Sequence, residues 1–393
     1  MAPALRSLPT SLAAALLLAA ACSGDSGPPP DAAIAFDRRA MLANLATAVY
    51  VPAHAEAAAR TAELTAAVDA LCSALADGPA PAEDAAAAAA WRAAAEAWQT
   101  VDAVLVGPAA ADDAAVRNRI YAWPLVAPCA IDQDVIARWT NPGGYDVATR
   151  LDNARSLAAI EYLLFYRDAA TSCPLAPAGW DALAAELPRA RSCLAAAIAA
   201  DVAAQTAALA TAWAPTGGDY GGALARAGTA GSTIASERDA VNMVSDGLFY
   251  LDDMVKDMKL GETAGIVVNA CGTIEEPCLR EVEHRFADHA TAALRANLRA
   301  ARAVFTGADG LGFDDYLTAA GAPELAARMV ANFDRAIALA DALPPSFLTT
   351  LASDRAAVVE LHSATRAVTD DLKSQFLTVL GLDIPDDVAG DND

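Results

Sequence analysis

Apolar residues recur three and four positions apart over long stretches of the chain, and alternating runs of β-branched residues are nearly missing. Residues at that spacing stack on one face of a helix, so the pattern predicts amphipathic α-helices with one buried stripe and one wet face. The stripes place helices at 36–76, 83–106, 114–122, 129–139, 146–166, 178–213, 233–258, 276–304, 312–341 and 346–381. Ala, Leu, Arg and Glu, all strong helix formers, fill much of them. Between them lie turn-forming stretches: GPAPAED (78–84), GPAAADD (107–113), TNPGG (140–144), APTGGDYGG (214–222), TGADGLG (306–312) and LPPS (343–346).

The Gly-rich stretch 214–232 reads as a linker between a helical bundle at 35–213 and a second at 233–382, with an acidic tail at 383–393. Each half has enough long helices to bury a shared apolar seam. The fold class predicted is therefore all-α, two packed antiparallel helical bundles.

The pattern differs before residue 35. One cation, Arg6, precedes an uncharged apolar run, Leu12 to Ala21, that ends in small residues. This predicts an export signal over 1–21, too short to span a bilayer as a mature helix. Leu18-Ala19-Ala20-Ala21-Cys22 resembles a bacterial lipobox, in which Cys22 takes a diacylglycerol, and residues 22–34 then form the lipidated Cys and a polar, Pro-rich tether. The expected location is the cell envelope, at the periplasmic face or outer membrane, with the membrane a partner through the lipid anchor.

Composition adds limits. With 55% apolar and 20% charged residues the chain can build a core. A net charge of −23 spread along it makes nucleic acid and anionic lipid surfaces poor partners. Six cysteines besides Cys22 predict three disulfides in an exported protein. Short spans favour Cys271–Cys278 and Cys173–Cys193, leaving Cys72–Cys129. No CxxC pair or Cys/His zinc spacing occurs.

Candidate chemistry is sparse. Glu161 sits in AAIEYLLFY, where a carboxylate needs a partner, most simply Arg119. Arg119 and Asp132 bracket the Trp123-Pro124 turn, as ligand-binding groups or as a brace. Glu281, His284 and Asp288 are spaced by three and four, so on one helix they share a face, either as metal ligands or as a solvated polar surface. Asp257 and Lys259, just before a helix-stopping Gly261, face either a cleft or water. GxSxG, P-loop and HExxH patterns are missing.

Several segments together resemble the imelysin family of bacterial envelope proteins: WRAAAEAWQ (91–99), RIYAWP (119–124) with Ile131-Asp132, and AIEYLLF (159–165) in the first half. In the second half they are Val241-Asn242, Leu248-Phe249-Tyr250, DMKLG (257–261) and NLRAARAVFTG (297–307). The resemblance runs from about 36 to 380. It implies two helical bundles with a site between them, an envelope location, association with iron uptake and, in some members, metallopeptidase activity. The family's Gly-x-His-x-x-Glu motif falls on Ser156, Ala158 and Glu161, so only the glutamate survives. An alanine offers neither a metal ligand nor a base. The reading is thus a non-catalytic ligand- or metal-binding component linked to iron uptake, with iron or another divalent metal as the candidate cofactor and other iron-uptake or envelope proteins as candidate partners. A metallopeptidase and a structural, partner-binding helical module are the alternatives.

Overall fold

A computed structural model describes residues 35–385 except 273 and 309. The expected export signal, Cys22, the adjoining tether to 34, and most of the acidic tail lie outside the described residues.

Among the described residues the secondary structure is helical, with no strand. The first half contains α1 (Arg38–Leu45), α2 (Val51–Ala74), α3 (Pro81–Asp102), α4 (Ala111–Ile120), α5 (Pro128–Thr140), α6 (Leu157–Phe165) and α7 (Leu187–Trp213). The second contains α8 (Tyr220–Ala225), α9 (Glu237–Gly247), a π-helix (Leu251–Glu262), α10 (Ala290–Thr306), α11 (Phe313–Ala319), α12 (Pro323–Ala342), α13 (Phe347–Ser353), α14 (Arg355–Asp371) and α15 (Leu377–Leu380).

Helix α2 packs along both α3 and α7, and α6 closes that group. Helices α10 and α14 pack on the π-helix and α12 packs on both of them, and α10 also lies against α3, which joins the two bundles. Helix α3 shows how sequence makes such an element. Pro81 fits the first turn, Glu83 and Asp84 sit where the helix dipole favours anions, and Trp91, Ala94, Ala95 and Trp98 form the buried stripe.

Several expectations are corrected. The stretch 146–166 is helical as an α-helix only from Leu157, because Asp152, Asn153 and Arg155 build tight turns in which Arg155 bonds the Asp152 carboxylate. The stretch 276–304 is an α-helix only from Ala290; His284 and Asp288 take left-handed backbone conformations, φ 52° and 49°. Glu281, His284 and Asp288 therefore share no helix face. The expected linker 214–232 is folded: it carries α8, and a Cβ on its buried Gly221 would lie only 3.1 Å from Ala46. Gly261 stops no helix; it lies inside the π-helix, whose backbone continues to Glu262.

The disulfides are Cys72–Cys193, Cys129–Cys173 and Cys271–Cys278. The last matches expectation, whereas Cys173–Cys193 and Cys72–Cys129 are corrected. Cys72 is near the end of α2 and Cys193 near the start of α7, and these antiparallel neighbours bring together cysteines 121 residues apart. Spacing along the chain cannot reveal that.

Candidate functional site

Where α3 meets α10 and the π-helix, the apolar packing is interrupted by a buried polar cluster. Helix α3 contributes Gln99 and Asp102, the chain around α4 contributes Arg117 and Tyr121, and α6 contributes Glu161. From the second half come Tyr250, Lys259 of the π-helix, Glu283, His284 and, on α10, Asn297. Gln99, Asp102 and Asn297 are fully buried. Isolated charges there would be costly, so each needs partners.

They have them. Lys259 Nζ lies 3.0 Å from Glu283 Oε2 and donates to Gln99 Oε1 at 2.8 Å and Asn297 Oδ1 at 2.7 Å. Glu283 Oε1 accepts from Tyr121 OH at 2.5 Å and Gln99 Nε2 at 3.0 Å. Beside this, Arg117 presents its Nε and Nη2 edge to Asp102 at 2.7 and 2.9 Å, and Tyr250 OH donates to the same carboxylate. Burial pushes the Glu283 and Asp102 carboxyls up, but Lys259 and Arg117 outweigh it and hold them below the usual carboxylate range. Burial pulls the Lys259 ammonium down against the raising effect of Glu283. Burial, reinforced by Glu283, pushes the Tyr121 phenol well up, which keeps it a donor.

Glu161 joins at the edge. Its Oε1 accepts the backbone N–H groups of Phe286 and Ala287 at 2.9 and 3.1 Å, while Oε2 lies 3.3 Å from His284 Nδ1. His284 packs edge-on against Trp91. A cavity of about 100 Å³ opens here, lined by Trp123, Ala158, Glu161, Val282, His284 and Phe286. Ala158 thus faces the space that a histidine at that position would enter.

Of the sequence candidates, the structure gathers Glu161, Trp123, Lys259 and His284. Trp123 lines the cavity, and its ring lies 5.7 Å from Lys259 Nζ. Arg119 is elsewhere, bonded to Gln205 rather than to Glu161 or Asp132. Asp132 braces the 171–172 loop by accepting from Tyr162, Thr171 and the Ser172 N–H. Asp257 pairs with Lys256, Glu281 lies 3.7 Å from Arg280, and Asp288 caps the Leu348 N–H. Gln99, Asp102, Arg117, Tyr121, Tyr250, Glu283 and Asn297 were not singled out by sequence reasoning. The available signal was a polar residue inside an apolar helix stripe, as at Asn297 between Leu294, Leu298 and Ala301.

A resident divalent metal fits this donor set poorly. Only Glu161 and His284 offer atoms beside the cavity, and among the described residues no third acidic, His or Cys side chain completes a ligand group with them. Glu283 is committed to Lys259, Tyr121 and Gln99. The one compact carboxylate group among the described residues, Asp252, Asp253 and Asp257, already carries ammonium groups: Lys256 and Lys373 reach Asp252 at 2.9 and 2.6 Å.

Comparison with known proteins gives a consistent picture. The imelysin family model (Peptidase_M75) matches residues 50–375. The crystal structure of an imelysin-like protein from Psychrobacter arcticus 273-4 superposes with a TM-score of 0.63 at 18% identity, covering 90% of this chain and 98% of that one. A protein from Parabacteroides distasonis ATCC 8503, provisionally named an iron-regulated protein A precursor, gives 0.66 at 16% identity over 89% and 96%. Both likenesses are likenesses of fold. No curated relative matches by sequence.

Proposed function

Because the chain belongs to the imelysin family, we propose that it is a non-catalytic, ligand-binding lipoprotein of the cell envelope linked to iron acquisition. The observation that carries the non-catalytic part is the state of Glu161. Its Oε1 accepts two backbone N–H groups, its Oε2 faces His284 Nδ1, and the motif's histidine position is Ala158. The carboxylate is thus engaged in holding the 283–287 segment, and the alanine beside it supplies neither the second ligand nor the base that the motif's histidine would. The adjoining cavity, about 100 Å³, is well below the ~300 Å³ at which ordinary ligand pockets begin. Its size matches a very small polar ligand better than a peptide.

Three supports are indirect. The link to iron draws on the name of the Parabacteroides protein of similar fold. Export and anchoring draw on the uncharged run before Cys22. The disulfides agree with an oxidising compartment. Casein digestion by the purified chain, with and without a chelator, tests the reading, and chelator-sensitive cleavage would overturn it. Metal analysis of the wild type and of Glu161→Ala separates the possible cargoes. Iron held at unit stoichiometry and lost in the variant makes a metal ion the ligand.

A further inference from the structure

A second cavity, which shares no lining residue with the one beside Glu161, lies in the first bundle. It occupies about 770 Å³ among the α2–α3 turn, the chain at 166–169 and the start of α7, within the ~300–1,000 Å³ span of ligand pockets. We propose that it binds an organic monocarboxylate with an apolar body, whose carboxylate is held by Arg191. The proposal goes beyond the function above and does not depend on it.

Arg191 lines this cavity and is 4% exposed. Its Nη1 donates to the carbonyls of Tyr166 and Asp168, each at 2.8 Å. Its Nε and Nη2 have no hydrogen-bond partner, and among the described residues no carboxylate lies within ion-pair distance. Those two nitrogens form the edge that accepts a carboxylate side-on with two parallel bonds. Arg117 gives the same edge to Asp102. In a chain with 50 acidic and 27 basic residues, a buried guanidinium with that edge vacant is an unbalanced charge awaiting an anion.

The surroundings agree. Helix α7 begins in the same wall with no side chain capping its N-terminus, where the backbone dipole favours negative charge. Tyr166 and Trp180 flank the guanidinium at 5.2 and 5.6 Å. That edge is shielded from solvent, so a carboxylate reaches it only if a neighbouring side chain moves, and half-buried Tyr166, which lines the cavity beside the guanidinium, is the nearest that can. Leu71, Leu75, Leu163 and Leu187 supply an apolar wall for the rest of the ligand. Asp84 is already held by Arg167 at 2.9 Å, and of the remaining lining charges Asp77 and Glu186 outnumber Arg189, which favours a single negative charge on the ligand over two.

Calorimetric titration of the full chain with octanoate, octanol and octyl phosphate tests this. Octanoate should bind at one site per chain, with octanol and octyl phosphate weaker by about tenfold or more. Arg191→Lys keeps a charge that can reach the Tyr166 carbonyl but loses the fork, and should weaken octanoate by a similar factor while leaving octanol unchanged. Leu75→Trp fills the apolar end without touching the guanidinium; it should abolish octanoate binding and keeps the test decisive if Arg191→Lys does not fold. Absence of octanoate binding, equal affinity for octanol, or undiminished octanoate binding by either folded variant overturns the proposal.

Discussion

His284 Nδ1 lies 3.3 Å from Glu161 Oε2 although 123 residues separate them. With the Phe286 and Ala287 N–H groups on the other oxygen, one carboxylate pins the 283–287 segment to the first bundle. Glu161→Ala leaves those donors buried and unpaired, so it should cost about 3 kcal/mol in urea unfolding. Glu161→Gln retains an accepting oxygen and should cost less than about half of that. Equal losses would contradict the hydrogen-bonding role.

Lys259 and Glu283 are a buried ion pair, and removing one member strands the other charge. Lys259→Met alone should destabilise by about 3–5 kcal/mol, and the Lys259→Met/Glu283→Leu double variant should be less destabilised than the sum of the two single changes. Additive losses in denaturant titrations would show that the two charges do not sense each other.

The disulfides should contribute unequally. Cys72–Cys193 spans 121 residues and Cys271–Cys278 spans 7. Loop-closure entropy gives about 5 kcal/mol for the former and about 2 kcal/mol for the latter. Paired Cys→Ser variants compared by thermal unfolding check the order, which would be reversed if native strain dominated.

Acid should act through His54. Burial lowers its pKa from 6.5 to about 4, against the raising effect of its hydrogen bond to the Tyr50 carbonyl, and its ring stacks on Trp213 at 5.0 Å. Between those two pH values the unfolded chain binds a proton that the folded chain refuses, so stability falls as pH drops from about 6.5 to about 4. The loss should be about 3 kcal/mol. His54→Phe keeps the stack and should remove that part of the slope. An unchanged slope would place the sensitivity elsewhere.

Helix faces were legible because burial leaves a periodic trace: Trp91, Ala94, Ala95 and Trp98 are spaced as a core stripe and are one. The 276–289 stretch was misread because Glu281, His284 and Asp288 carry helical spacing without helical backbone. Arg119 was chosen over Arg117 because nothing local separates two arginines two positions apart, whereas the fold points only Arg117 at Asp102. Glu161 was legible as a carboxylate in an apolar run. Its partners were not, because they come from the other half of the chain.

The central claim is that the altered motif leaves a binding protein rather than a peptidase. The direct measurement is casein cleavage by the full chain supplied with zinc or iron, each with and without a chelator. The account predicts no cleavage that the chelator removes, in the wild type as in Glu161→Ala. Cleavage that requires the metal, disappears with the chelator and is lost in Glu161→Ala would contradict it.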